Sequence, residues 1–294
     1  MSVVEALERL GGVATRGTLV GASTRLDVDQ ALEVGDIIVL ARGRNALPQV
    51  DAARSGAHRV TGAVSWRSAA QTYEWELLRT PPLPEVTVTP SRKLTKDQRR
   101  GLQVHRGALH DSEVDEGVTT RARTLVDCIR GLPFDEALAV ADSALRHGFS
   151  AKLLSGLARN ARGPGSAQMR RVAALASADK ANPFESGLHA IAATVPGLTV
   201  RPQVAIRDPH FLGRPDLVDQ RLQIVLEADS FEWHGGRSAL SRDARRYDEL
   251  VVRGWLVLRF AWEHVMDEQA WVRSILVAAV AERSDQRCAT CRAA

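Results

Sequence analysis

The residues best suited to chemistry lie in the last third of the chain, where Asp216, Glu227, Asp229, Glu185 and His234 gather acids and one imidazole into a short span. Leu222, Ile224, Leu226 and Ala228 alternate with Gln223, Val225, Glu227 and Asp229. That alternation predicts a strand with one apolar face, and it puts both acids on the other. Two like charges on one face repel unless a cation or a hydrogen-bond donor compensates. Asp216 follows Pro215 at the start of an expected preceding strand, Pro215–Asp219. A hairpin brings it within about three residues' rise of Glu227, on the order of 10 Å between backbones. Three such carboxylates suit a hard divalent ion, Mg2+ or Mn2+, because such ions take oxygen ligands.

A helix beginning at Asn182-Pro183 supplies the fourth acid. Phe184, Leu188, Ile191 and Val195 are its buried stripe, and Glu185 lies one residue off it, with His189 one turn later. Glu185 is equally the third residue of a helix capped by Asn182, and the two roles are compatible. His234 sits on the segment leaving the acidic strand, which makes it a candidate acid or base. On an expected helix 239–253, Arg242, Arg245, Arg246 and Arg253 are basic, while Tyr247, Leu250 and Val251 are expected to face the core. Arg245 or Arg246 has the geometry to pair with an acid or a phosphate. The competing reading is an exposed face laced by Asp243–Arg246 and Glu249–Arg253 pairs.

The elements that must position these groups follow from periodicity. Residues 183–283 read helix, strand, strand, strand, helix, strand, helix, an α/β domain. Upstream, helices at Val3–Leu10, Thr15–Val20 and Leu26–Val34 precede a hairpin made by Ile37–Leu40 and a strand ending at Leu47. Three short helices and a two-stranded wing describe a winged helix-turn-helix over 1–50. Its third helix carries Asp27, Asp29 and Glu33, so Arg25, Arg42 and Arg44 are the better DNA contacts. Residues 51–160 mix helices (Ser65–Leu78, Thr120–Cys128, Phe134–His147) with strands (Glu85–Thr89, Gln103–Leu109), an α+β middle domain. Residues 161–182, with Gly163-Pro164-Gly165, read as a linker, and 284–294 as a disordered tail.

Charge is uneven. The 294 residues carry a net +4, yet 51–110 alone hold ten basic and five acidic groups. Arg92 and Lys93 mark this patch, suited to neutralising phosphates or to a solvated loop. Only four of the 39 basic residues are lysines, and none lies beyond Lys180. Three cysteines exclude a disulfide framework, and a lone Cys288–Cys291 pair is two ligands short of a structural zinc site. No apolar run of membrane-spanning length occurs, Met1–Leu10 lacks signal-peptide character, and a cytoplasmic protein without membrane contact is expected.

Together, Phe184-Glu185-Ser186, Gly213-Arg214-Pro215-Asp216, Glu227-Ala228-Asp229, His234, Arg246-Tyr247-Asp248 and Gly254–Phe260 resemble a bacterial domain of unknown function. That domain is related to very-short-patch-repair endonucleases of the PD-(D/E)XK superfamily. The resemblance implies a metal-dependent endonuclease fold over 183–283, with Asp216 and Glu227 holding Mg2+ and Glu185 assisting. It implies His234 as acid or base, since Phe231-Glu232-Trp233-His234 is similar to a Trp-His stretch of the repair enzymes. Asp229 stands at the lysine position of the ExK element, where it could bind a second metal but offers no positive charge. Residues 3–50, with Ser68-Ala69-Ala70 and Val118–Asp127 beyond them, resemble AbiEi antitoxins, which repress their own operons in type IV toxin–antitoxin systems. The resemblances imply DNA as partner. They leave two activities open: DNA cleavage or nicking, and a non-catalytic repressor with a cognate toxin.

Overall fold

The computed structural model describes residues 1–229 and 237–293, without the side chains of 237–243 and 286–293. The chain is a mixed α/β protein of two units, one formed by Met1–Trp75 with Arg79–Cys128, the other by Glu76–Leu78 with Ile129–Ala294. Among the described residues, no helix is long and apolar enough to cross a membrane.

In the first unit, helices Val3–Arg9, Arg16–Ala22 and Arg25–Val34 pack over a small antiparallel sheet. Its strand order is Val13–Thr15, Arg44–Ala46, Ile38–Ala41. The helix starts are written into the sequence as caps. The Ser2 hydroxyl accepts the Glu5 N–H while the Glu5 carboxylate accepts the Ser2 N–H, and Thr24 and Asp27 repeat the arrangement. Gly35, with φ of 85°, ends the third helix in the left-handed conformation that a side chain resists. Leu7, Leu19, Val28 and Ile37 form the core beneath.

The expected boundary at residue 50 does not separate two units. Helix Ala52–Val60 closes against the small sheet, with His58 Nε2 2.8 Å from the Ala14 carbonyl. A five-stranded sheet follows in the order Gln103–Arg106, Glu85–Val88, Ala63–Val64, Val118–Thr119, Val114–Asp115. The expected helix Ser65–Leu78 stops at Thr72, because Glu74 turns left-handed (φ 60°) and Trp75 is driven into the core.

The second unit begins with Phe134–Arg146, a helix buried along most of its length, against which Pro183–Ala192 packs. Between them lie Ala151–Asn160 and Ser166–Leu175. The stretch 161–182 is therefore folded rather than a linker. Met169 and Val172 are buried, Gln168 Nε2 donates to the carbonyls of Ile129 and Leu132, and the Arg130 guanidinium donates to those of Arg162 and Pro164. An ion pair fixes its end: Lys180 Nζ lies 2.6 Å from Asp142 Oδ2, both side chains fully buried. Burial lowers the Lys180 ammonium and raises the Asp142 carboxyl, each partner partly offsetting the shift of the other.

The sheet of this unit runs Leu256–Ala261, Ile224–Asp229, Leu217–Asp219, Arg201–Pro202. The first pair is parallel and the others antiparallel. Parallel neighbours need a long crossover, here the helix Arg237–Val252. Leu222, Ile224 and Leu226 point into one core with Leu188, Phe260 and Leu276, as the alternation predicts, while Val225 joins a second cluster with Ile206, Val218 and Leu250. Gln203, whose φ is 52°, separates two short strands, Arg201–Pro202 and Ile206–Arg207. The closing helix extends from Gln269 to Ala293, so the backbone of the expected tail is helical.

Removing one member of a buried ion pair strands the other charge. Asp142→Ala is expected to cost about 3–5 kcal/mol in urea denaturation. The double replacement Asp142→Leu with Lys180→Met should recover most of that loss. A single mutant as stable as the wild type would show that the pair does not hold this segment.

Candidate functional site

Asp216 and Glu227 meet across the hairpin. The register pairs Leu217 with Leu226, so the next position outward sets Asp216 opposite Glu227. The separation is thus one strand spacing, closer than the three-residue rise expected from sequence. The Ala228 N–H donates to Asp216 Oδ2 at 2.9 Å, and the Asp216 N–H points at Glu227 Oε2 at 3.4 Å. Gln203 binds the same aspartate twice, its backbone N–H donating to the Asp216 carbonyl at 3.1 Å and its Nε2 to Oδ1 at 3.3 Å. The left-handed turn at Gln203 that separates the two short strands is what aims both donors.

The pair is short of positive charge. Burial, and then the charge of Asp216, push the Glu227 carboxyl up to about 8. Burial also raises Asp216. Glu227 Oε1 is buried without a hydrogen-bond donor, and Arg246 Nη2 lies 3.3 Å from it as an ion pair. Glu185 belongs to the same field. Burial and the charge of Asp216 push it up to about 7, while its oxygens accept from the Ala181 N–H and from Asn182 Nδ2 at 3.0 and 3.1 Å. The Asn182 side chain in turn accepts the Glu185 N–H, so the capping role and the place beside the acids coexist. His189, one turn on, is buried, and burial together with Lys180 pushes it down to about 3.

Asp229 has an ion-pair partner of its own, Arg259 from the neighbouring parallel strand. Arg259 lies opposite Glu227 in that register, and its guanidinium sits 4.5 Å from the Tyr247 ring centre. Tyr247, expected in the core, is half-buried beside the acids instead, its hydroxyl accepting from Arg246 Nη2 at 3.0 Å. Val251, also expected inside, is exposed, and only Leu250 of the three is fully buried. Arg245 points outward. His234 lies outside the described residues, as does the side chain of Arg242.

Sequence reasoning missed Gln203, Arg259 and Tyr247. Arg259 carried a usable signal: it is the one charge in the apolar run Trp255–Phe260. Gln203 carried none, since its role depends on a backbone turn.

The first-unit candidates are dispersed. Arg25 and Arg42 are exposed, at the start of the third helix and at the tip of the hairpin. Arg44 is half-buried, with Nη1 3.4 Å from His58 Nδ1, and burial plus nearby Arg92 lower its guanidinium. Arg92 donates to the Val60 carbonyl, and Arg106 to the carbonyl of Arg92, so this part of the basic segment braces a loop. Lys93 is exposed.

Among the described residues, no group of three His, Cys, Asp or Glu side chains is arranged to hold a metal ion. Two carboxylates remain, with an unsatisfied buried oxygen. That donor set fits a Mg2+ or Mn2+ ion that completes its shell with water or phosphate.

No protein-family model matches the sequence, and no curated protein does. Among solved structures, the RV2827C protein from Mycobacterium tuberculosis is similar at 16% identity, over 70% of this chain and 87% of that one, with a TM-score of 0.34. A likeness at that level carries no functional argument.

The acids give the protein a pH dependence of definite sign. A carboxyl whose folded value exceeds its unfolded one destabilises the fold as pH rises between the two. For Glu185 and Glu227 that window runs from the usual carboxylate range up to about 7 and about 8. His189 acts oppositely, adding stability as pH rises from about 3 to its unfolded value near 6.5. Above about pH 6.5 only the acids remain. The midpoint of thermal unfolding without divalent ions should therefore fall between pH 6.5 and 8, by at least about 2–4 °C. Glu227→Gln should flatten that fall, and a wild-type midpoint that rises across the window would refute the picture.

Proposed function

We propose that residues 183–283 form a metal-dependent nuclease-type domain that hydrolyses or nicks DNA phosphodiesters. The supporting observation is the cross-strand pair Asp216 and Glu227, two buried carboxylates one strand apart with an unsatisfied oxygen between them and their cation. The resemblance to short-patch-repair endonucleases assigns these same two positions to Mg2+. When bound, such an ion lowers the pKa of a water and stabilises charge on the phosphoryl oxygens during in-line attack. The chain's own contribution is orientation. Ala228 and Gln203 fix Asp216, the hairpin register fixes Glu227 against it, and Asn182 fixes Glu185 alongside. In this reading Asp229, paired with Arg259, would take a second ion only on release from that arginine, as Glu227 would from Arg246. The N-terminal three-helix unit, read as a winged helix, would deliver the DNA through exposed Arg25 and Arg42.

A second reading is a non-catalytic repressor of the AbiEi antitoxin kind, with the nuclease-like domain kept for binding a toxin. One observation favours it. Both acids of the Glu227-Ala228-Asp229 element have arginine partners, a charge balance that can stand without metal.

Cleavage of supercoiled plasmid and of mismatched duplex with Mg2+ or Mn2+ separates the two. The nuclease reading expects nicked or linear product, reduced at least about a thousandfold by Asp216→Ala, in line with the several kcal/mol such an ion supplies. Cleavage that persists in Asp216→Ala would sink the site. An inactive wild type that protects a DNA segment beside its own gene from nuclease digestion would favour the repressor.

A further inference from the structure

Among the described side chains, Arg246 is the cation paired with Glu227. Its Nη2 faces Glu227 Oε1 and donates to the Tyr247 hydroxyl, and its guanidinium carbon lies 4.9 Å from the Tyr247 ring centre. The stem has a seat of its own. Gly213, three residues before Asp216, has a φ of 153°, and a Cβ there would stand 3.0 Å from Arg246 Cδ. A side chain at 213 would therefore crowd the arginine. Yet the Arg246 side chain keeps 28% of its surface exposed, while that of Glu227 keeps 6%. The guanidinium thus bridges the buried acids and the open side of the site.

A divalent ion on Asp216 and Glu227 must compete with this guanidinium for Glu227 Oε1. Two cations on one carboxylate oxygen repel each other, so an ion there weakens the arginine's hold. As the guanidinium is drawn off Glu227, its stem stays seated at Gly213. Its planar fork then stands at the exposed edge of the site, with a geometry matched to two phosphate oxygens.

We propose that Arg246 is the resident counter-ion of the carboxylate pair and that, once a divalent ion displaces it from Glu227, it becomes the ligand of the substrate's phosphate. The proposal rests on the nuclease reading for the identity of that substrate. Arg259, against the same tyrosine ring, is paired with Asp229, which is far more exposed than Glu227.

Two measurements on the full chain test it without relying on turnover. Calorimetric titration with Mn2+ alone should show Arg246→Gln binding the ion about tenfold more tightly than wild type, because the competing charge is gone. Binding of a fluorescent DNA duplex, with Ca2+ present to hold back cleavage, should become less salt-dependent in the same variant. The slope of log affinity against log salt should drop by about one, and Arg246→Lys should restore it. Mn2+ affinity in Arg246→Gln equal to or weaker than wild type overturns the exchange, and an unchanged salt slope overturns the phosphate role. Should wild type cleave DNA and Arg246→Gln cleave it equally well, this inference falls and the nuclease reading stands. Should wild type fail to cleave while both binding effects appear, the nuclease reading falls and the exchange stands.

Discussion

Two carboxylates facing each other across a hairpin, largely out of water, are the constraint on which the second unit turns. Asp216 and Glu227 repel, and burial strengthens that repulsion. Left alone, such a pair would not stay ionised. Each neighbouring feature reads as a partial answer to it: amide donors from Ala228 and Gln203, a guanidinium from the crossover helix, and a proton retained by Glu227 up to about 8. None of these answers is complete, since Glu227 Oε1 meets the guanidinium at 3.3 Å as an ion pair without an aligned hydrogen bond. A surface built only for stability would have placed apolar or singly charged residues here.

The same pair explains why the flanking helices are so thoroughly buried. Pro183–Ala192 must hold Glu185 within the field of Asp216, and it is anchored from behind by Phe134–Arg146. The Asp142–Lys180 pair ties the segment before Asn182 to that helix. Residues outside the 183–283 region thus help set the position of a residue inside it. Its folding unit begins near Ile129, well upstream of the span over which the sequence resembles a nuclease.

What could be read from the sequence divides along the range of the interactions involved. The strand 224–229, the helix starting at Asn182-Pro183 and the crossover helix follow from period and capping, which act over a few residues. The hairpin that brings Asp216 and Glu227 together was legible too, but its register was not: the sequence alone leaves them about three residues' rise apart, and the pairing sets them opposite each other. The partner of Asp229 was not legible: it comes from residue 259, thirty residues on, and no local pattern announces that. Tyr247 misled for a related reason. An aromatic on an amphipathic helix suggests core, and only the register of the parallel pair reveals that the helix lays that face over the acids. The linker expected at 161–182 failed because Gly and Pro mark turns, and turns between packed helices look the same as turns in free chain.

The scarcity of lysine acquires a physical meaning at this site. Lys180, the last lysine in the chain, is buried in the same unit, and burial lowers its ammonium despite an aspartate at 2.6 Å. A lysine beside Glu227 would meet a milder form of that desolvation, since the Arg246 side chain keeps 28% of its surface exposed. Arginine holds its charge under those conditions, because its proton is lost only far above neutral pH and its charge is spread over a weakly hydrated plane. The site's cations, Arg246 and Arg259, are thus of the type that stays charged next to half-buried acids. An arginine is also the better exchangeable partner. It can release a carboxylate to a harder ion and present the same fork to a phosphate without changing its own protonation; any pH dependence of the exchange comes from the Glu227 carboxyl, which burial and Asp216 push up to about 8.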